Sequence, residues 1–73
     1  MTFTQAQVIY ELANNNMNVQ ATAKMLYRSK SGVWHIIRAI ERDTGLNPRC
    51  FHQLCELLPE AMAILEGDID DGD

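Results

Sequence analysis

From Asn18 to Asn47 the chain reads NVQATAKMLYRSKSGVWHIIRAIERDTGLN, and this stretch constrains the fold more than any other. It holds two segments of helical periodicity separated only by Tyr27-Arg28-Ser29. In the first, Val19, Thr22, Ala23 and Leu26 share one face; in the second, Val33, Ile36, Ile37 and Ile40 do. Ala23 is small where two helices must approach closely. Asn18 and Ser29 stand where the caps of the two helices belong. The opposite side of the second helix carries Ser31, Trp34, His35, Arg38 and Arg42. Two short helices around a tight turn, the second with a polar and partly basic stripe, have the layout of a helix-turn-helix. Such a unit lays its second helix in the DNA major groove.

The flanking sequence reads as scaffold. Thr4 and Gln7 form a capping-box pattern for a first helix, with Phe3 and Val8 at the staple positions. Val8, Ile9, Leu12 and Ala13 then recur at helical spacing, and Asn14-Asn15-Asn16 ends the run. Gly45 in Thr44-Gly45-Leu46 stops the third helix, with Leu46 folding back. Asn47-Pro48 restarts a helix as cap and first residue, and Phe51, Leu54, Cys55 and Leu58 line its apolar face. Pro59 breaks that helix or begins a fifth. The expected fold is all-α, a small helix-turn-helix bundle of four to five short helices. Residues 1–66 form one domain and 67–73 a disordered acidic tail. The expected core is Val8, Leu12, Ala23, Leu26, Val33, Ile37, Ile40, Leu46, Phe51 and Leu54.

The net charge of −4 at first argues against a nucleic-acid partner. Its distribution reverses that reading. Residues 1–55 hold six basic and three acidic residues, whereas 56–73 hold seven acidic and no basic ones. The chain is a mildly basic body with an acidic tail. No apolar run approaches the ~20 residues of a membrane span, and no signal-peptide pattern is visible at the N-terminus. Cys50 and Cys55 sit five apart on one expected helix and point to different faces, which disfavours a disulfide. Free thiols suit a reducing cytoplasm.

The segment from Ala21 to Asn47 resembles the C-terminal helix-turn-helix domain of PucR-type bacterial transcription regulators. The resemblance rests on Ala21-Thr22-Ala23, Leu26, Val33, Ile37-Arg38, Ile40-Glu41 and Thr44-Gly45-Leu46, in order and without a gap. It implies sequence-specific binding of double-stranded DNA, usually by dimers. This chain has Lys30-Ser31-Gly32 where the family usually has Arg-Asn-Thr. Such regulators also carry large sensory domains. None is present in this sequence, so no small-molecule effector is expected. The expected DNA-contacting residues are Gln20, Ser29, Lys30, Ser31, Trp34, His35, Arg38 and Arg42. Lys30 and Ser31 would meet base edges, and Arg38 and Arg42 phosphate or a guanine edge. Trp34 has three readings: sugar or thymine-methyl contact, a protein-interface anchor, or packing against the fourth helix.

Other chemistries are poorly served. Cys50, His52 and Cys55 supply only three clustered ligands where structural zinc wants four. The terminal DIDDGD lacks the glycine and closing glutamate of a calcium loop. There is no nucleophile–base pair or phosphate-binding loop, so neither an enzyme nor a cofactor is expected. The alternative to DNA binding is a protein-interaction module that kept this fold. A homodimer through the C-terminal segment is also expected, because Leu57, Leu58, Met62, Ile64 and Leu65 are much apolar surface for a small monomer. The competing possibility is that they fold back on the first helix.

Overall fold

Four helices make up the regular structure of residues 1–67, the part of the chain that the computed structural model describes: α1 (Phe3–Asn14), α2 (Val19–Met25), α3 (Lys30–Thr44) and α4 (Phe51–Leu65). Of the segment expected to be a disordered acidic tail, residues 68–73 lie outside the described part. The chain is a small all-α bundle. No helix among the described residues is long and apolar enough to cross a membrane.

The cap of helix α1 lies two residues before the expected one, at Thr2. The pattern Thr-x-x-Gln occurs twice in overlap, at Thr2–Gln5 and at Thr4–Gln7, and the earlier copy forms the box. Thr2 Oγ1 accepts from the Gln5 N–H at 3.1 Å, and Gln5 Oε1 accepts from the Thr2 N–H at 3.1 Å. Gln5 Nε2 donates in turn to Asp43 Oδ2 on α3, at 3.3 Å. The earlier start is the one that lets Gln5 both cap α1 and join it to α3. It also makes Phe3 a half-exposed helical residue rather than a staple, while Met1 packs against the core.

Both helix-ending turns before α3 use a left-handed residue. Asn16 (φ 54°) and Met17 (φ 63°) follow α1, and the Met17 N–H returns to the Leu12 carbonyl at 2.7 Å. Tyr27 (φ 56°) follows α2; its N–H donates to the Lys24 carbonyl and that of Arg28 to the Ala23 carbonyl, at 3.2 and 2.9 Å. These are the paired bonds of a Schellman turn. Asn18 caps α2 through Oδ1 to the Ala21 N–H, and Ser29 caps α3 through Oγ to the Gly32 N–H, both at 3.0 Å. Gly45 (φ 76°) closes α3, as its sequence position predicts.

Helix α4 departs most from expectation. It begins at Phe51, because Asn47 is used in a turn: its Oδ1 accepts from the Arg49 N–H and its carbonyl from the Cys50 N–H, while Pro48 is buried. Its inward face is Leu54, Leu57, Ala61 and Ile64. Phe51, placed in the core by its spacing, is 61% exposed, and Cys55 is exposed as a free thiol. Pro59 lies inside α4 and starts no fifth helix. It sits on the exposed side with Cys55, whose carbonyl has no helical N–H donor at position 59. The apolar C-terminal residues largely fold back on α1, which packs more extensively against α4 than any other pair of helices packs. Leu57 and Ile64 are buried, Leu58 and Leu65 half-buried, and Met62 stays exposed.

The core joins Ala6, Val8, Ile9 and Leu12 of α1 to Val19 and Ala23 of α2, Val33, Ile37 and Ile40 of α3, and the inward face of α4. Leu26 and Leu46, also expected there, pack against it half-buried. Thr22 is fully buried, and its hydroxyl donates to the Asn18 carbonyl at 2.9 Å.

Two outcomes follow. Ile37→Asp places an unpaired charge at a buried site and should abolish the cooperative thermal transition, because the cost rivals the whole stability of a small domain, about 5 kcal/mol. Phe51→Asp should melt within a few degrees of the parent chain; loss of folding there would contradict the exposed placement. Separately, Tyr27 is 97% exposed and left-handed. Tyr27→Gly relieves roughly 1–2 kcal/mol of strain against roughly 0.5–1 kcal/mol of added chain entropy. Its melting midpoint should rise by a few degrees, and a fall would count against this turn geometry.

Candidate nucleic-acid interface

The solvent side of α3 is set by its core side. Val33, Ile37 and Ile40 are buried, with Ile36 half-buried beside them, so Lys30, Ser31, His35, Arg38 and Arg42 are left exposed. The N-terminal end of this strip is fixed by the turn. Ser29 spends its hydroxyl on the Gly32 N–H and lies 3.4 Å from the Ser31 hydroxyl. A Cβ on residue 32 would meet Ser29 Oγ at 3.0 Å, so glycine there lets the cap seat closely. Lys30 and Ser31 begin a helix whose first turn is anchored rather than frayed.

Ser31, Trp34, His35 and Arg38 surround one shallow depression of about 350 Å3. Four of the eight sequence-predicted residues are therefore brought together. Gln20 is exposed on α2 and lines a separate hollow with Asn18, Ala21 and Lys24. Arg42 lies further along α3 and is 77% exposed, with its Nε 3.4 Å from Asp43 Oδ1. Ser29 is a cap first, which limits what its side chain can offer a ligand.

Trp34 is half-buried against the core. A second contact comes from the turn that follows α3. The Arg49 guanidinium carbon lies 4.9 Å from the Trp34 ring centroid, within cation–π range. Arg49 comes from the turn between α3 and α4, where Asn47 holds its backbone N–H at 2.9 Å. The indole is thus restrained from two sides, by the core beneath and by a charged group from another element.

Two basic residues join the eight predicted ones. Lys24 shares the α2 hollow with Gln20, and their i, i+4 spacing was the signal that could have found it. Arg49 is visible in sequence only as a positive charge; its place over Trp34 depends on the path of the turn.

Asp43 is the acidic partner of Arg42. The Gln5 side-chain amide, and then Arg42, hold its carboxyl below the ordinary carboxylate range. A depressed carboxylate adds to stability above its ordinary range and loses that contribution as pH falls through the lowered value. Near neutral pH Asp43 is ionised and stays a partial partner for Arg42.

A stretch of 46 residues, 63% of this chain, is 41% identical to the HTH-type transcriptional regulator cbl of Klebsiella aerogenes. The matched stretch spans 15% of that regulator's length. No protein-family model matches the chain, and no solved structure does. The similarity therefore supports a helix-turn-helix domain of the transcription-regulator kind, and gives no support to the PucR type in particular.

Proposed function

We propose that this chain binds double-stranded DNA and acts as a small transcription regulator, in a cytoplasmic setting, with α3 entering the major groove. The observation that carries the reading is the anchored strip of Lys30, Ser31, His35 and Arg38 on the outer face of the second helix of a helix-turn-helix. The partial likeness to a transcription regulator adds to it. On this reading Lys30 and Ser31 approach base edges, Arg38 takes phosphate or a guanine edge, and Gln20 and Lys24 on α2 face the sugar-phosphate backbone. Arg49 reaches a phosphate while steadying Trp34. Arg42, shared with Asp43, contributes less than its exposure suggests.

The test is a titration of the 73-residue chain with duplex DNA at two salt concentrations. Lys30→Ala should weaken binding and relax the sequence preference at the base pair it meets. Arg38→Ala should weaken it about tenfold or more. Arg49→Ala should also weaken it and alter the emission of Trp34, the single tryptophan. All three variants should keep the parent melting behaviour. Salt-independent binding, or binding untouched by these changes, would overturn the assignment.

Pairing is the second part of the proposal. One helix-turn-helix reads few base pairs, and two copies on half-sites roughly 34 Å apart read more. With Leu57 and Ile64 committed to the core, the apolar surface left for pairing is Phe51, Met62 and the groove of Ala13, Met17, Phe51, Cys55 and Leu58. The same groove is what favours the alternative, a protein-interaction module. Sedimentation equilibrium at ~100 μM should show a dimer that Phe51→Asp dissociates. A strictly monomeric parent chain would remove the dimer and favour a different protein partner for that groove.

A further inference from the structure

We propose that the depression around Trp34 receives the C5-methyl group of a pyrimidine in the major groove, making Trp34 a specificity-determining residue. The inference rests on the DNA-binding reading and deepens it. The depression lies on the outer face of α3, and its apolar wall is the indole of Trp34, rimmed by Ser31, His35 and Arg38. At about 350 Å3 it holds a methyl group together with the edge of the ring that bears it. The major groove displays one apolar group among its hydrogen-bonding edges, and that is the pyrimidine C5-methyl. A polar side chain at position 34 would compete for base-edge hydrogen bonds. An indole cannot accept one and donates through a single N–H.

The restraint on Trp34 matters as much as its chemistry. A mobile indole would lose side-chain freedom on binding and give back much of what methyl burial gains. Here the ring is half-buried against the core and lies under the Arg49 guanidinium. It is held before any ligand arrives, so desolvating a methyl against it discriminates between bases. Arg49 is in this respect a positioning residue, acting on base choice through the orientation of the ring.

The experiment begins with selection of preferred sites from a random duplex pool by the whole chain. The preferred duplex is then remade with deoxyuridine in place of each thymidine in turn. Loss of one buried methyl should weaken binding about fourfold at one position. The same replacement should be neutral for Trp34→Ala and reduced in effect for Arg49→Ala. At the sensitive position, a 5-methylcytosine pair compared with a cytosine pair separates the two sources of the group. An equal gain assigns the site to any C5-methylated pyrimidine, and a gain confined to thymine assigns it to thymine. Uridine replacement that costs nothing at every position overturns the proposal from the parent chain alone, whether or not Trp34→Ala folds. A cost that persists in a folded Trp34→Ala also overturns it. Salt-dependent DNA binding would survive both of those outcomes. Absence of any duplex binding would instead remove the DNA reading together with this one.

Discussion

Helix α1 is the element on which the others depend. It packs against α2, α3 and α4, whereas α4 packs chiefly on α1. Its buried face of Ala6, Val8, Ile9 and Leu12 is wholly shielded from water. Each of the larger three stabilises the fold by roughly 1.5–3 kcal/mol through burial. Gln5 adds direction to that non-directional force. Its backbone N–H, amide oxygen and amide nitrogen are all used, on Thr2 and on Asp43, so the start of α1 and the last turn of α3 are held in one register. The outer face of α3 inherits its orientation from these contacts.

The turn between α2 and α3 is short, and several of its groups have a local use. The Schellman bonds of Tyr27 and Arg28 end one helix, and the Ser29 cap begins the next, with Leu26 between core and surface. Such a turn leaves little hinge. Lys30, Ser31, His35 and Arg38 therefore move with the core as one body, and a ligand that meets them pays mainly for ordering long side chains. A site on a rigid helix holds geometry better than one on a loop.

Features set by near neighbours were legible in the sequence. Asn18, Ser29 and Gly45 act at the termini where their chemistry places them, and the buried face of α3 follows its period. Where two local solutions compete, sequence reading fails. Thr2–Gln5 and Thr4–Gln7 are equivalent as local patterns, and distant contacts such as Gln5 with Asp43 distinguish the copy that forms. Asn47-Pro48 reads as a helix start, yet Asn47 spends its groups on a turn and α4 begins later. Helix α4 also offers two overlapping apolar stripes. Leu54 and Leu58 with Phe51 and Cys55 is one, and Leu54, Leu57, Ala61 and Ile64 the other; the small Ala61, fully buried, marks the second as the side facing α1. Within the candidate site, the cluster of Ser31, Trp34, His35 and Arg38 was visible from α3 alone. The contact of Arg49 with Trp34 was not, since a turn's path has no periodicity to read.

Among the described residues, the fold separates much of the acidic charge from the basic strip on α3. Glu56, Glu60 and Glu66 lie on or at the end of α4, which carries no basic residue. That helix packs chiefly on α1. Screening limits exposed charges to about 10 Å at 0.1 M salt, so what an approaching phosphate senses is the local set and not the total. Along α3 that set is Lys30, Arg38 and Arg42 with His35, against Glu41 and Asp43. Asp43 is paired with Arg42 and accepts a hydrogen bond from Gln5, and Arg49 adds a positive charge from the next turn. The balance at the strip is therefore positive but small. On the proposed DNA-binding reading, a strip of that kind gives modest electrostatic affinity and leaves discrimination to shape and to apolar contact at Trp34.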